Sequence, residues 1–433
     1  MITRIVNGRI WKDGSILEKD IILEDEKIVG IVRKGQPTQV DRVLDAEGAL
    51  ILPGLIDAHT HLRDSRIAYK EDFVSGTSAA VAGGFTLVLD MPNTDPPITS
   101  PERLSERMSS AEKRILCDVG FYAMPLDLDH VEALAEKGCV GYKIFTHKSF
   151  EDKNFFEEEK IEELLKAVGK TGKTLSIHAE DPSKIGFLGE KYSAIEHARA
   201  HNVEAEVSMI ERVLRLSRKH FTKIRFCHIT TAKGLQMLVE EKKDSLNYFV
   251  EVTPAHLTLD ESILSECDKI CLVEPPIREK GNVIFLRKMF WEGAIDVVGT
   301  DHAPHTLEEK LSDKPLAGFP GLETTVPILF TLAKKGFIPF SKLIESLTTN
   351  PAKIFNLRGY GTIREGNIAN LTLIKFVPEY RIDSSKFFSK AKFTPFEGYK
   401  VETAVTKTII RGETVYERGA GIVGEKRGKV VRT

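Results

Sequence analysis

The sequence predicts an α/β protein: a (β/α)₈ barrel of the TIM type carrying a small composite β-sandwich domain formed by the N- and C-terminal segments. Three observations predict it. Eight short β-branched runs alternate with segments of helical period between residues 51 and 357. Polar residues gather at the C-terminal end of nearly every run, the end on which barrel enzymes carry their chemistry. Both flanks read as hairpins rather than helices.

The first fifty residues alternate apolar runs with turn chemistry (ITRIVNGRIW, KDIILEDEKIVGIV, RVLDAEGALILPG) and predict strands. The barrel runs follow as LIDAHTHLR, TLVLDMPN, CDVGFYAM, VGYKIF, TLSIHAE, IRFCHIT, YFVEVTP and IDVVGTDHAP. Between them SPERLSERMSSAEKRIL, FEEEKIEELLKAVGK and EAEVSMIERVLRLSRK have the pattern of amphipathic helices. A doubly wound open sheet is the alternative, and the polar strand ends favour the barrel. GTIREGNIANLTLIKF and VETAVTKTIIRGETVYERG return the chain to strands. The predicted division places 1–50 and 358–433 in the β domain and 51–357 in the barrel.

Composition excludes several classes of function. The 61 Lys and Arg balance 63 Asp and Glu, and a net charge of −2 gives no broad field for phosphate backbones or anionic lipid. No apolar run has the length of a signal peptide or a spanning helix, so the expected location is the cytoplasm. The five cysteines (Cys117, Cys139, Cys227, Cys267 and Cys271) are scattered without a C-x-x-C pair and are expected to be reduced thiols.

The strand ends carry the chemistry. His59, His61 and Arg63 alternate along the first strand and therefore project together. A lone His-x-His is a weak signal, but His178, His228 and Asp301 end the fifth, sixth and eighth strands. Four imidazoles and a carboxylate suffice for two divalent ions with a position left for water. Lys143, in GYKIF on the fourth strand, places an amine among these cations. Desolvation and repulsion favour its neutral form, which can add CO₂ and become a carbamate that bridges two ions.

Two motifs, DAHTHLR at the first strand and GTDHAPHTLEEK at the eighth followed by GFPGLET, carry a resemblance over the whole chain. The sequence resembles the metal-dependent amidohydrolases of the cyclic-amide branch, and within it the dihydroorotases. The resemblance implies Zn²⁺, two per chain, with His59 and His61 on one ion, His178 and His228 on the other, carboxylated Lys143 between them, and Asp301 as ligand and proton shuttle. It also implies a substrate-binding set of His61, Arg63, Asn93, His305, Pro320 and Gly321, in which the Arg63 guanidinium forks onto a carboxylate. The implied reaction is reversible hydrolysis of (S)-dihydroorotate to N-carbamoyl-L-aspartate, run as ring closure in pyrimidine biosynthesis. The implied partners are a small-molecule substrate, with self-association or association with aspartate carbamoyltransferase.

Some positions depart from that pattern or leave it open. Glu274 stands where related enzymes present Asn or Arg to the substrate, and it is expected to turn away, to pair with Arg278, or to mark a different substrate. Cys227 and Glu251 could join a third ion, but strand alternation predicts that Cys227 points away from His228. His256 lies on the same rim and could approach the substrate. His130, His147, His197, His201, His220 and His302 are expected to be solvated or capping residues. A hydantoinase or allantoinase would use the same ions without the carboxylate that Arg63 suits. A non-catalytic partner of aspartate carbamoyltransferase would be expected to have lost ligands that are all present here.

Overall fold

The computed structural model describes residues 1–433. Eight parallel strands form the barrel: β1 Leu55–Thr60, β2 Phe85–Asp90, β3 Asp118–Ala123, β4 Gly141–Phe145, β5 Thr174–His178, β6 Lys223–Phe226, β7 Tyr248–Val252 and β8 Val297–Val298. They pair in chain order, as the sequence predicts. Closure is made just beyond β8, where Thr60 and His302 pair in parallel and the His61 amide donates to the His302 carbonyl at 2.8 Å. Asp57 reinforces the seam by accepting from the amides of Thr300 (3.0 Å) and His59 (3.1 Å).

The predicted helices form for the reasons their sequences give. In Glu158–Thr171 the buried residues are Ile161, Leu164, Leu165 and Val168, one face at helical spacing, and the helix stops at Gly172 with φ 68°. Pro101–Ala111 opens with Ser100 as its cap and a proline in the first turn. Val203–Ser217 opens on Asn202, whose side chain accepts from the Ala205 amide at 3.0 Å.

The two ends of the chain meet as expected. A four-stranded sheet runs in the order Lys27–Arg33, Lys19–Glu24, Ile2–Val6, Arg42–Asp45. A seven-stranded sheet joins early and late segments, with Leu50–Pro53 pairing antiparallel to Leu371–Arg381 on one side and parallel to Arg9–Lys12 on the other. Ile5, Ile21 and Ile28 of the first sheet pack with Ile51, Leu371 and Ile409 of the second, so the apolar faces close on one another. Val430–Val431 leaves this unit and lies parallel to β3.

Asp118, fully buried at the start of β3, ties the units together. Its Oδ1 accepts from Arg411 Nη2 (3.0 Å) and the Lys429 amide (2.8 Å), and its Oδ2 from Tyr360 Oη (2.8 Å) and Asn370 Nδ2 (2.9 Å).

The side chains of Cys267 and Cys271 meet, with Cα atoms 5.7 Å apart. Cys267 ends the short helix Ile263–Cys267 and Cys271 ends the 3₁₀ turn Asp268–Cys271, so the chain reverses between them. Cys117, Cys139 and Cys227 are buried free thiols, as expected.

Removing the Asp118 carboxylate leaves the buried Arg411 guanidinium with only the half-exposed Glu26 as counter-charge. Asp118→Ala is expected to lower unfolding stability by about 3–5 kcal/mol, measured by urea denaturation against wild type.

Candidate active site

A cavity of about 180 Å³ opens at the C-terminal mouth of the barrel, and His59, His61, Arg63, His178, His228 and Asp301 all line it. The convergence expected from the strand ends is therefore present. His59 and His61 lie on the inward side of β1 and just past its end. His59 Nδ1 faces Glu251 Oε1 at 2.6 Å, and His61 Nδ1 faces Asn93 Oδ1 at 2.8 Å. Both acceptors fix the proton on Nδ1 and leave Nε2 as the donor atom, the arrangement usual for metal-ligating histidine.

Both Nε2 atoms turn to the same oxygen, Asp301 Oδ1, at 3.4 Å from His59 and 3.3 Å from His61. Donors about 2.0–2.1 Å from a tetrahedral zinc stand roughly 3.3–3.4 Å apart, so both contacts have the length of a coordination edge. The His228 ring lies 5.3 Å from His59 and 4.5 Å from His178. His178 Nε2 is held by Glu180 Oε2 at 2.6 Å.

Lys143 is completely buried among these groups, and its Nζ has no hydrogen-bond partner. His228 Nδ1 is likewise buried and unpartnered. Each orphaned buried polar atom costs about 1–3 kcal/mol. A divalent ion on imidazole and a carboxylated amine at Lys143 would relieve both costs, so the residues present fit the implied centre.

The electrostatics agree. Burial alone would raise the Asp301 pKa, but His59 and His61 beside it prevail and hold it below the usual carboxylate range. Burial pushes His61 down to about 4 and His178 down to about 3, keeping both neutral and ready to ligate. His59 is raised to about 9, because Glu251 and Asp301 outweigh the burial that would lower it. A cation would take the place of that proton.

Arg63 and Asp301 sit at φ 55° and 49°, and His228 at 37°, three left-handed residues around one cavity. Arg63 Nε donates to the Pro304 carbonyl at 3.2 Å, and its Nη2 meets His305 Nε2 at 3.2 Å. Burial lowers its pKa to about 10, which leaves it a cation at neutral pH. Asn93 and His305 also line the cavity. Pro320 and Gly321 do not. The Gly321 amide donates to His302 Nδ1 at 3.2 Å, and the loop presents Ala317 and Gly318 to the cavity instead. Gly318 has φ 120°, and a Cβ there would meet the Ala303 backbone oxygen at 2.7 Å, so the close approach requires glycine.

Several sequence expectations are corrected at this rim. Cys227 faces inward, within 4.8 Å of the ligand atoms of His59 and Glu251. Alternation fails there because β6 ends at Phe226 and the backbone turns left-handed at His228. Glu274 turns to Lys148, His147 and His197, whereas Arg278 donates to Thr230 Oγ1 and the His201 carbonyl. His197, His201 and His302 are buried, and the ring of His147 is nearly so. His256 is held by Thr253 Oγ1 and the Pro275 carbonyl, away from the cavity lining. His130 is half-buried, with its Nδ1 3.2 Å from the Thr99 carbonyl.

Comparisons with known proteins agree with this geometry. Residues 50–415 match the amidohydrolase family. A dihydroorotase of Pyrococcus furiosus is 37% identical over 98% of this chain and 95% of its own length. A dihydroorotase of Methanosphaera stadtmanae is 32% identical over 92% of each chain. Among solved structures, an L-hydantoinase (dihydropyrimidinase) from Arthrobacter aurescens superposes with a TM-score of 0.94 at 26% identity, covering 100% of this chain and 99% of its own.

Because Glu251 orients His59, Glu251→Gln is expected to weaken metal affinity roughly 10–100-fold, read as metal content after dialysis against a competing chelator.

Proposed function

Because this chain belongs to the amidohydrolase family and, within it, to the dihydroorotases, we propose that it interconverts (S)-dihydroorotate and N-carbamoyl-L-aspartate, with ring closure the direction used in pyrimidine biosynthesis. The observation that carries the substrate is Arg63, a buried guanidinium in the same cavity as His59, His61 and Asp301. Dihydroorotate needs a cation for its carboxylate beside the group that opens its ring.

His59, His61, His178, His228, Asp301 and a carboxylated Lys143 would hold two zinc ions, which would supply a Lewis acid for the ring carbonyl and a water made nucleophilic near neutrality. The chain's own groups do the rest. Arg63 binds the substrate carboxylate as a fork, with His305 steadying its far nitrogen. Asn93 and the edge of His61 border the ring, and the backbone of the loop ending at Pro320 and Gly321 covers it. Asp301, ionised through the neutral range, accepts the proton of the attacking water and returns it to the ring nitrogen as the carbon–nitrogen bond breaks. In ring closure the same carboxylate moves the proton in the opposite sense.

The same reading assigns residues 51–357 to the catalytic barrel and 1–50 with 358–433 to the β domain. No helix is long and apolar enough to cross a membrane, and the reading places the enzyme in the cytoplasm. It also carries the expectation of self-association or association with aspartate carbamoyltransferase, checked by sedimentation of the chain alone and mixed with that enzyme.

Asp301→Asn is expected to lower kcat by about 10²–10⁴-fold in an absorbance assay of dihydroorotate turnover. Arg63→Met is expected to lose about 10²-fold in kcat/KM, the removal of a charge-assisted bidentate contact. Hydantoin assayed in parallel should be turned over poorly by wild type and be indifferent to Arg63→Met. Equal use of hydantoin and dihydroorotate by wild type would transfer the assignment to a hydantoinase.

A further inference from the structure

A second cluster of ligating side chains stands beside the cavity, outside the set described above. His197 and His201 are four residues apart at the end of the helix Ala194–Ala200, so they project from one face with rings stacked at 4.3 Å. Glu274 comes to them from the segment after the Asp268–Cys271 turn, with Oε1 3.3 Å from His197 Nε2. Its other oxygen lies 3.4 Å from His147 Nε2, which comes from the loop after β4.

Two features separate this cluster from a hydrogen-bonded polar network. Charge-assisted nitrogen–oxygen bonds run about 2.7–2.9 Å, and these contacts are longer. They match the edge of a tetrahedral site, roughly 3.3–3.4 Å for donors about 2.0–2.1 Å from zinc, as do the contacts of His59 and His61 with Asp301. His201 Nδ1 is 3.0 Å from Glu180 Oε1, a buried carboxylate that fixes the ring as an outer-shell partner does and leaves Nε2 free.

The geometry points to a third divalent-cation site formed by His197, His201 and Glu274 with His147 beside them, distinct from the pair of ions between His59 and His228. Imidazole-rich donors select zinc, cobalt or nickel over magnesium or calcium, which take oxygen. The ligand atoms of His197, His201 and Glu274 all lie within 4.8 Å of one another, close enough for one ion to gather them. Lys148 is the competitor. Its ammonium contacts Glu274 from a half-exposed position, so it can swing away when a cation takes the carboxylate. Glu180 connects the two centres, since one oxygen holds His201 and the other holds His178.

The test is calorimetric titration of Zn²⁺ into purified protein whose resident metal has first been counted by mass spectrometry. Wild type should show one binding event beyond the resident ions, and Mg²⁺ should show none. The His197→Ala/His201→Ala double variant should lose that event, and Lys148→Met should tighten it by about tenfold as a competing charge is removed. His59→Ala should keep it, which separates failure of this site from failure of the catalytic pair. If the double variant melts early, Glu274→Gln carries the same test. No additional event in wild type, or the same event in the double variant and in Glu274→Gln, overturns the proposal.

Discussion

The site rests on one buried ion pair. Glu251 at the end of β7 and Arg225 on β6 meet with both side chains fully excluded from water. Such a pair demands partners for its remaining donors and acceptors, and of these only Arg225 Nη2 is left without one. Glu251 meets that demand by also accepting from the His228 amide at 3.2 Å and holding His59 at 2.6 Å. Arg225 donates to the Ala58 carbonyl and to Ser176 Oγ, each at 3.0 Å, and packs over the rings of Tyr122 and Phe355. β1, β5, β6 and β7 are thus pinned to one charge pair directly beneath the cavity. The direction in which the imidazoles point follows from it.

Above that floor, backbone and side chains carry different information. The barrel superposes closely on a hydantoinase, whereas the sequence relatives are dihydroorotases. A shared backbone says little about which cyclic amide is accepted, because specificity lies in a few groups at the strand ends. The charged groups at the strand ends that face the cavity include Arg63, its side chain held by the Pro304 carbonyl and His305, and the Glu274–Lys148 pair. An anion entering the cavity would meet one fixed cation and one neutralised carboxylate.

Much of this was legible in the sequence, and what was not has physical causes. The eight strands could be read because parallel barrel strands are buried on both faces and show as short apolar runs. His59, His61, His178, His228 and Asp301 could be read because they end those runs. Cys227 could not, since alternation holds only while the strand lasts, and the chain leaves it before His228. The partners of Glu274 were invisible for another reason. His147 and Lys148 reach it from the loop after β4 and His197 from the helix Ala194–Ala200, and no local pattern records that meeting. Pro320 and Gly321 were read as a loop over the ring, but the bond from Gly321 to His302 draws that turn down and leaves Ala317 and Gly318 at the surface of the cavity.

The strand Leu50–Pro53, which pairs with residues more than three hundred positions later, has a consequence for how the protein comes into being. During synthesis from the N-terminus, the early sheet strands emerge long before their partner and wait with apolar faces uncovered. Such non-local pairing is slow to form and exposed to aggregation meanwhile. The nascent chain must therefore be guarded through translation of the whole barrel, and a fragment ending before residue 371 would display a sticky sheet edge.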